Sequence, residues 1–349
     1  MVEANLPMVS VIIPCHNEVD FIEDTVRGIL GNDYPAELME ILVVDGMSDD
    51  GTRDIAKRLV VEYPQVKLLD NPHQIVPLAL NKGIRESQGD ILILAGCHCK
   101  YNNDYISSCV EVLQRTGGAY VGGYMETLPG NDTLTAKAIA LATSSRFGVG
   151  TKFRAGINKE QEADAAPFGA FRKEIIDTVG TYHPLLVRNQ DMEFCTRVRK
   201  AGFKIIISPK IKPIYYNRGT FKGLRRQAFA NGLWNAYTLW IAGGGLRPRH
   251  FIPGGFVLGL ILLAILGISV DSRAAWVFWT YMGLYLLASI IESFRIALRQ
   301  KKLRLIPLIF TSFVHLHFCY GFGTLLGFIT GPFKFRKSQI KAGPQDAGR

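Results

Sequence analysis

The chain has 349 residues, 48% hydrophobic and 20% charged, which is too apolar for a disordered chain and too long for one small core, so roughly two domains are expected. Its net charge of +10 is unevenly distributed: −8 over residues 1–199, +10 over 200–250 and +8 over 251–349. This partition, without zinc-finger spacing or RNP-like aromatic motifs, excludes a uniform nucleic-acid surface and points to an anionic membrane surface instead.

In chain order, the first strand-like run is Val9–Pro14. No basic n-region or long apolar stretch precedes it, so no cleavable signal peptide is evident and the first domain is expected in the cytoplasm. A helix over Phe21–Leu30, a strand over Met39–Asp45, a helix over Thr52–Glu62, a strand over Val66–Asp70, a helix over Ile75–Glu86 and a strand over Asp90–Leu94 follow. Short continuous apolar strands alternating with helices predict an α/β domain on a mostly parallel, doubly covered sheet, with binding groups at the strand carboxyl ends. Two such ends are polar, Pro14-Cys15-His16-Asn17-Glu18 and the loop from Asp45 to Thr52. Ser, Asp and Gly there also suit ordinary helix caps. Neither end carries GxGxxG or GxxxxGK[ST], which argues against dinucleotide dehydrogenases and P-loop enzymes. The six cysteines, Cys15, Cys97, Cys99, Cys109, Cys195 and Cys319, form no disulfide framework and are read as reduced.

From Lys200 to His250 there are ten Lys+Arg residues and no acid, among them Arg218, Lys222, Arg225 and Arg226. The segment reads either as the cytoplasmic flank of a membrane span or as a seat for an anionic lipid head group. Phe251–Val270 is uncharged over a length that crosses a bilayer core. Ala274–Ile291 and Leu305–Thr330 read as further spans, and the basic connection Glu292–Arg304 is expected on the cytoplasmic side. A third full crossing would place Lys334, Arg336, Lys337 and Lys341 outside, against the same rule. Gly321, Gly323 and Gly327 therefore leave a bent or re-entrant hairpin as an alternative.

The stretch VSVIIPCHNE followed by EILVVDGMSDDGT resembles the opening of the family 2 glycosyltransferases of the GT-A fold. Further stations occur in order: Asn71-Pro72, Ala79 to Ile84, Gly89 to Leu92, Asp164 through Pro167 to Lys173, and Arg188 to Phe194. Together with the apolar spans, the chain resembles the membrane-anchored succinoglycan glucosyltransferase subgroup. The resemblance implies a GT-A (nucleotide-diphospho-sugar transferase) domain over 1–232, a membrane-proximal segment over 233–250, transmembrane helices over 251–330 and a basic tail over 331–349. It also implies roles: Pro14, Glu18, Asp45, Ser48, Asp50, Asn81 and Lys82 for the nucleotide donor, Asp191 as general base, and Asp164, Gly169, Arg172, Gln190 and Gln227 on the acceptor side. Arg225 and Arg226 are added there from the acid-free segment, since paired arginines suit phosphate oxygens.

Two departures matter. The family's metal-binding strand ends in DxD or, in this subgroup, Asp-Ala-His, whereas this chain reads Ala95-Gly96-Cys97-His98-Cys99, leaving His98 as the metal candidate. One imidazole is a poor site for Mg²⁺ or Mn²⁺, which favour oxygen ligands. Zinc would need a second ligand pair that is not apparent. The QxxRW of processive members is represented only by Gln227 followed by Ala-Phe-Ala-Asn-Gly, so transfer of a single sugar is expected. The resulting expectation is an inverting, multi-pass enzyme of the inner membrane with its catalytic domain in the cytoplasm. It would move one sugar from a nucleotide-diphosphate sugar, a UDP-sugar by preference, to a polyprenyl-diphosphate-linked acceptor, with a divalent cation as cofactor and no nucleic-acid partner. The alternatives are a non-catalytic scaffold that Gly96 would permit, and a polyisoprenyl-phosphate glycosyltransferase.

Overall fold

The computed structural model describes residues 6–149, 156–166, 168–270 and 272–335; Pro167 and the tail cations Arg336, Lys337 and Lys341 lie outside them. The described chain divides into two compact units, residues 6–126 with 156–215, and residues 127–149 with 216–335. The boundary expected at residue 232 falls inside a helix, Phe221–Ala242.

The first unit begins with β1 (Val9–Cys15), α1 (Ile22–Leu30), β2 (Met39–Asp45), α2 (Thr52–Glu62), β3 (Val66–Asp70), α3 (Val76–Glu86), β4 (Ile91–Leu94), β5 (Cys99–Lys100), α4 (Tyr105–Thr116) and β6 (Tyr120–Gly123). The chain leaves through β7 (Glu126–Leu128) to form α5 (Leu134–Ser144) in the second unit. It returns for β8 (Gln161–Glu162), β9 (Ala170–Arg172), α6 (Ile175–Val179), α7 (Gln190–Lys200), β10 (Ile205–Ser208) and β11 (Ile214–Tyr216). The second unit is completed by α8 (Phe221–Ala242), α9 (Ile252–Ser269), α10 (Ser272–Arg299) and α11 (Ile306–Lys334).

The main sheet has eight strands in the order β3-β2-β1-β4-β9-β6-β10-β8. Its first four are parallel, as expected, while β9 runs antiparallel to both β4 and β6. The apolar runs of β1 and β2 arise because both faces are covered. Val11, Ile13, Ile41 and Val43 pack with residues of α1, α2 and α4, and Ile12, Leu42 and Val44 with residues of α3, α6 and α7. The parallel register pairs Cys15 with Asp45 and Asp45 with Asp70, so three strand ends meet in one row at the carboxyl edge.

In the second unit, three helical segments, Pro248–Ser269, Arg273–Arg299 and Leu303–Lys334, are long and apolar enough to cross a membrane. The basic stretch Glu292–Arg304, read above as a connection, is helical to Arg299, where cations complement the negative helix end, and turns only at residues 300–302. The hairpin alternative is not realised, since α11 is one uninterrupted helix. Its glycines serve close packing instead. A Cβ on Gly323 would lie 2.1 Å from the Phe229 carbonyl oxygen of α8, one on Gly327 2.6 Å from that of Leu233, and one on Gly232 2.0 Å from that of Tyr320. Small residues let the two helix backbones approach this closely. The first half of α11 is sheathed differently, with Leu305, Ile309 and Phe313 clustered with Ala138 and Ala142 of α5 and Ile296 and Ala297 of α10. His317 lies in the same packing, its ring nitrogens bonded to the Phe147 carbonyl at 2.9 Å and the Tyr285 hydroxyl at 3.1 Å.

Gly323→Val should force α8 and α11 apart and cost about 1–3 kcal/mol of stability, the range for overpacking. Gly283→Ala, where an added Cβ meets nothing within 4 Å, should be neutral. Thermal unfolding in detergent checks the pair, and equal melting temperatures would refute the close-packing role.

Candidate active site

The strand-end row is organised by Asp45, whose carboxylate is fully buried. It accepts from the Ser48 hydroxyl at 2.6 Å and from Arg53 Nη1 at 2.9 Å, while Arg53 Nη2 reaches Asp70 at 2.6 Å. One guanidinium thus bridges the ends of β2 and β3. The loops after β1 and β2 are laced together by the Asn17 amide on Ser48 Oγ at 2.9 Å, the Glu18 amide on Thr52 Oγ1 at 2.7 Å and the Val19 amide on Asp50 at 3.1 Å. Asp50 also accepts from the Thr52 amide and hydroxyl. Partial burial alone would raise its pKa, but the bonds from Thr52 and Val19 outweigh it and hold the carboxyl below its usual range.

The thiols beside this row are inert. Burial first, then the Asp45 charge, pushes the Cys15 thiol far up, and burial does the same to Cys97. Such thiols stay protonated and make poor metal ligands. Among the described residues no group of three His, Cys, Asp or Glu side chains is placed to hold a metal ion.

His98 is engaged by the nucleotide-side loop, its Nε2 3.1 Å from Glu18 and its ring 4.4 Å from that of Phe21. Asp90 begins the opposite end of β4, where its carbonyl accepts from the Lys173 amide, and Asp104 precedes α4. The described residues therefore do not fit a protein-built divalent-cation site.

Other expected donor residues take supporting positions. Asn81 is buried and spends both ends of its amide on the Tyr182 backbone, at 2.7 and 2.8 Å, so it latches α3 to the segment before α7 rather than facing a ligand. Lys82 caps the end of β3 through the Asp70 carbonyl at 2.9 Å. Pro14 lies near the end of β1, its carbonyl beside Cys97 Sγ.

On the acceptor side, α7 is docked by Arg197, which pairs with Glu193 at 2.7 Å and donates to the carbonyls of Val179 and Thr181. This seats Gln190 and Asp191 in the helix's first turn. Desolvation raises the Asp191 carboxyl above its ordinary pKa against the opposing bond from the Met192 amide. Asp164 is met by Arg199 at 3.9 Å. Gly169 is required sterically, since a Cβ there would lie 2.3 Å from Tyr120 and from the Val121 carbonyl. Arg172 departs from expectation. Because β9 is antiparallel to β4, Gly169 lies beside Leu94 at the carboxyl edge while Arg172 pairs with Ile91 at the amino edge, where it reaches the Leu113 carbonyl. Arg225, Arg226 and Gln227 stand on α8 in the second unit. The sequence reading missed Arg53, although it follows directly on the Asp45–Thr52 loop, and missed Phe21 and Phe168, whose contacts come from distant segments.

The model of the family described as "Glycosyl transferase family 2" matches residues 10–180. The succinoglycan biosynthesis protein ExoA of Rhizobium meliloti is 35% identical over 272 residues, covering 77% of this chain and 78% of that protein. The chain belongs to glycosyltransferase family 2. A second relative of this glycosyltransferase, from Methanococcus voltae, is 26% identical over 94% of this chain and 99% of its own length. Its name is dolichyl N-acetyl-alpha-D-glucosaminyl phosphate 3-beta-D-2,3-diacetamido-2,3-dideoxy-beta-D-glucuronosyltransferase. The GT-A fold is shared with a solved mannosyltransferase, PcManGT of Pyrobaculum calidifontis in complex with GDP-Man and Mn²⁺, at TM-score 0.62 and 18% identity over 93% of this chain and 88% of that one.

Arg53→Ala should strand the buried Asp45 charge and destabilise the domain by roughly 2–4 kcal/mol, somewhat below the usual cost of breaking a fully buried pair because the arginine is partly exposed. Arg53→Lys should recover little, since an ammonium does not offer a planar two-carboxylate fork. Denaturant unfolding of both variants tests this; a wild-type midpoint for Arg53→Ala would contradict it.

Proposed function

We propose that this family 2 glycosyltransferase transfers one sugar, with inversion, from a UDP-sugar to a sugar carried on a polyprenyl phosphate or diphosphate at the cytoplasmic face of the membrane. The observation that carries the reading is the full-length match to the Methanococcus relative, whose name specifies a dolichyl-phosphate-linked substrate, in a chain with three membrane-length apolar helices. Glu18 and Asp50 supply carboxylate acceptors for the nucleoside, while Asp45, fully buried on Ser48 and Arg53, holds the strand ends in place. Asp191 removes the proton from the acceptor hydroxyl as its oxygen attacks the anomeric carbon. The nucleoside diphosphate leaves from the opposite face, and the anomeric configuration inverts. The absence of an Arg-Trp pair after Gln227 supports release after one transfer.

The second unit offers a seat for the lipid phosphate. Among the described residues, Arg218, Lys222, Arg225 and Arg226 have no carboxylate partner, and Arg225 Nη1 instead lies 3.5 Å from Nε2 of His315 on α11. An arginine facing an imidazole gains from an anion that bridges them. The basic end of α10 supports a cytoplasmic position for the turn into α11.

Three measurements test this. Asp191→Asn should lower kcat by about 10²–10⁴-fold with nucleotide affinity unchanged. The acid limb of kcat/KM should lie above the ordinary carboxylate range, because the base works only when deprotonated and its pKa is raised: rate is lost as pH falls through that raised value. Undiminished turnover in Asp191→Asn would exclude the base. Glu substitutions at Arg225 and Arg226 together should raise the acceptor KM while leaving membrane insertion and nucleotide affinity intact; unchanged acceptor kinetics would remove these arginines from the acceptor site.

A further inference from the structure

The end of β4, where the family resemblance implies a carboxylate metal ligand, is covered by an aromatic ring. A Cβ on Gly96 would lie 3.0 Å from Cε1 of Phe168, a separation tighter than ordinary carbon contact. Several features hold the ring there. Phe168 adopts a left-handed backbone with φ 48°, uncommon for an aromatic residue and sustained only where neighbours impose it. Its carbonyl accepts from the Tyr105 hydroxyl. The following residue, Gly169, is pressed between Tyr120 and the Val121 carbonyl, and its own carbonyl accepts from the Leu94 amide at 3.1 Å. The ring of Tyr215 stacks beside that of Phe168 with centroids 6.4 Å apart. The backbone of Gly96 is engaged as well, its amide donating to the Tyr101 hydroxyl at 2.7 Å. The remaining imidazole, His98, faces Glu18 and Phe21.

We propose that Phe168 is the residue that determines metal use in this glycosyltransferase: its ring fills the position of a first carboxylate ligand, and the donor nucleotide binds with no divalent cation held by the protein. Restoring the carboxylate alone does not restore a metal site, because Gly96→Asp meets the ring. The inference rests on the donor-site reading above, but it is tested on the metal directly.

Mn²⁺ alone is titrated into the full-length protein in detergent and followed by electron paramagnetic resonance, for wild type, Gly96→Asp, Phe168→Gly and Gly96→Asp/Phe168→Gly. Glycine suits the left-handed backbone at 168, so the variants retain the fold, which circular dichroism checks. Wild type and Gly96→Asp should hold no stoichiometric Mn²⁺, whereas the double variant should gain a site at least tenfold tighter. UDP and GDP affinities of wild type should agree within twofold in EDTA and in Mn²⁺. A stoichiometric Mn²⁺ on wild type, a tenfold loss of nucleotide affinity in EDTA, or a folded double variant without Mn²⁺ would each overturn the proposal. Failure of both nucleotides to bind under either condition would count against the donor-site reading, while the Mn²⁺ titration would still decide the role of Phe168.

Discussion

The carboxyl edge of the main sheet depends on one buried carboxylate. Asp45 ends a strand covered on both faces, and Arg53 and Ser48 satisfy its oxygens there. Because Arg53 also grips Asp70, the same compensation ties neighbouring strand ends together. The Asp45 charge adds to burial in keeping the adjacent Cys15 thiol neutral, so a carboxylate and an unreactive sulfur share the row. The loops around it are then joined by main-chain donors to side-chain oxygens.

The second unit solves a different problem. The contact between α8 and α11 comes from shape. Glycines on α8 and α11 supply it by bringing backbones together. Where α11 is instead packed with α5 and the end of α10, the contact residues are Ala, Ile, Leu and Phe, as in a soluble core. One helix therefore carries two kinds of interface along its length.

Much of this was legible in the sequence, for identifiable reasons. Strands β1 to β4 stand within one residue of their expected bounds because each is a mainly apolar run bounded by Pro, Gly or Asp; β1, β2 and β4 are buried, whereas β3, at the sheet edge, is only partly so. The polar ends at Glu18, Asp45 and Asp50 were visible for the same reason. Strand direction was not: Arg172 sits close in sequence to Gly169, yet the antiparallel course of β9 carries it to the other edge of the sheet. The glycines of α11 fit a bend or a tight contact equally well on composition, and the decision lies with α8, some ninety residues earlier. Phe168 gave no signal, since its contacts are with Gly96, Tyr105 and Tyr215, each on a distant segment.

The excursion of the chain through α5 has a consequence for how the protein is made. Strand β9 sits between β4 and β6 but is synthesised after α5, so the sheet cannot close until the chain has gone out to the second unit and come back. Ala138 and Ala142 of α5 meet Ile296, Ile309 and Phe313, which leave the ribosome more than 150 residues later. Long-range pairings of this kind fold slowly and leave apolar surface bare in the interval. The face of α5 that carries Ala138 and Ala142 therefore stays bare in the nascent chain until the end of α10 is made, and a chain cut short before α10 would carry that bare face permanently, with aggregation as its natural fate.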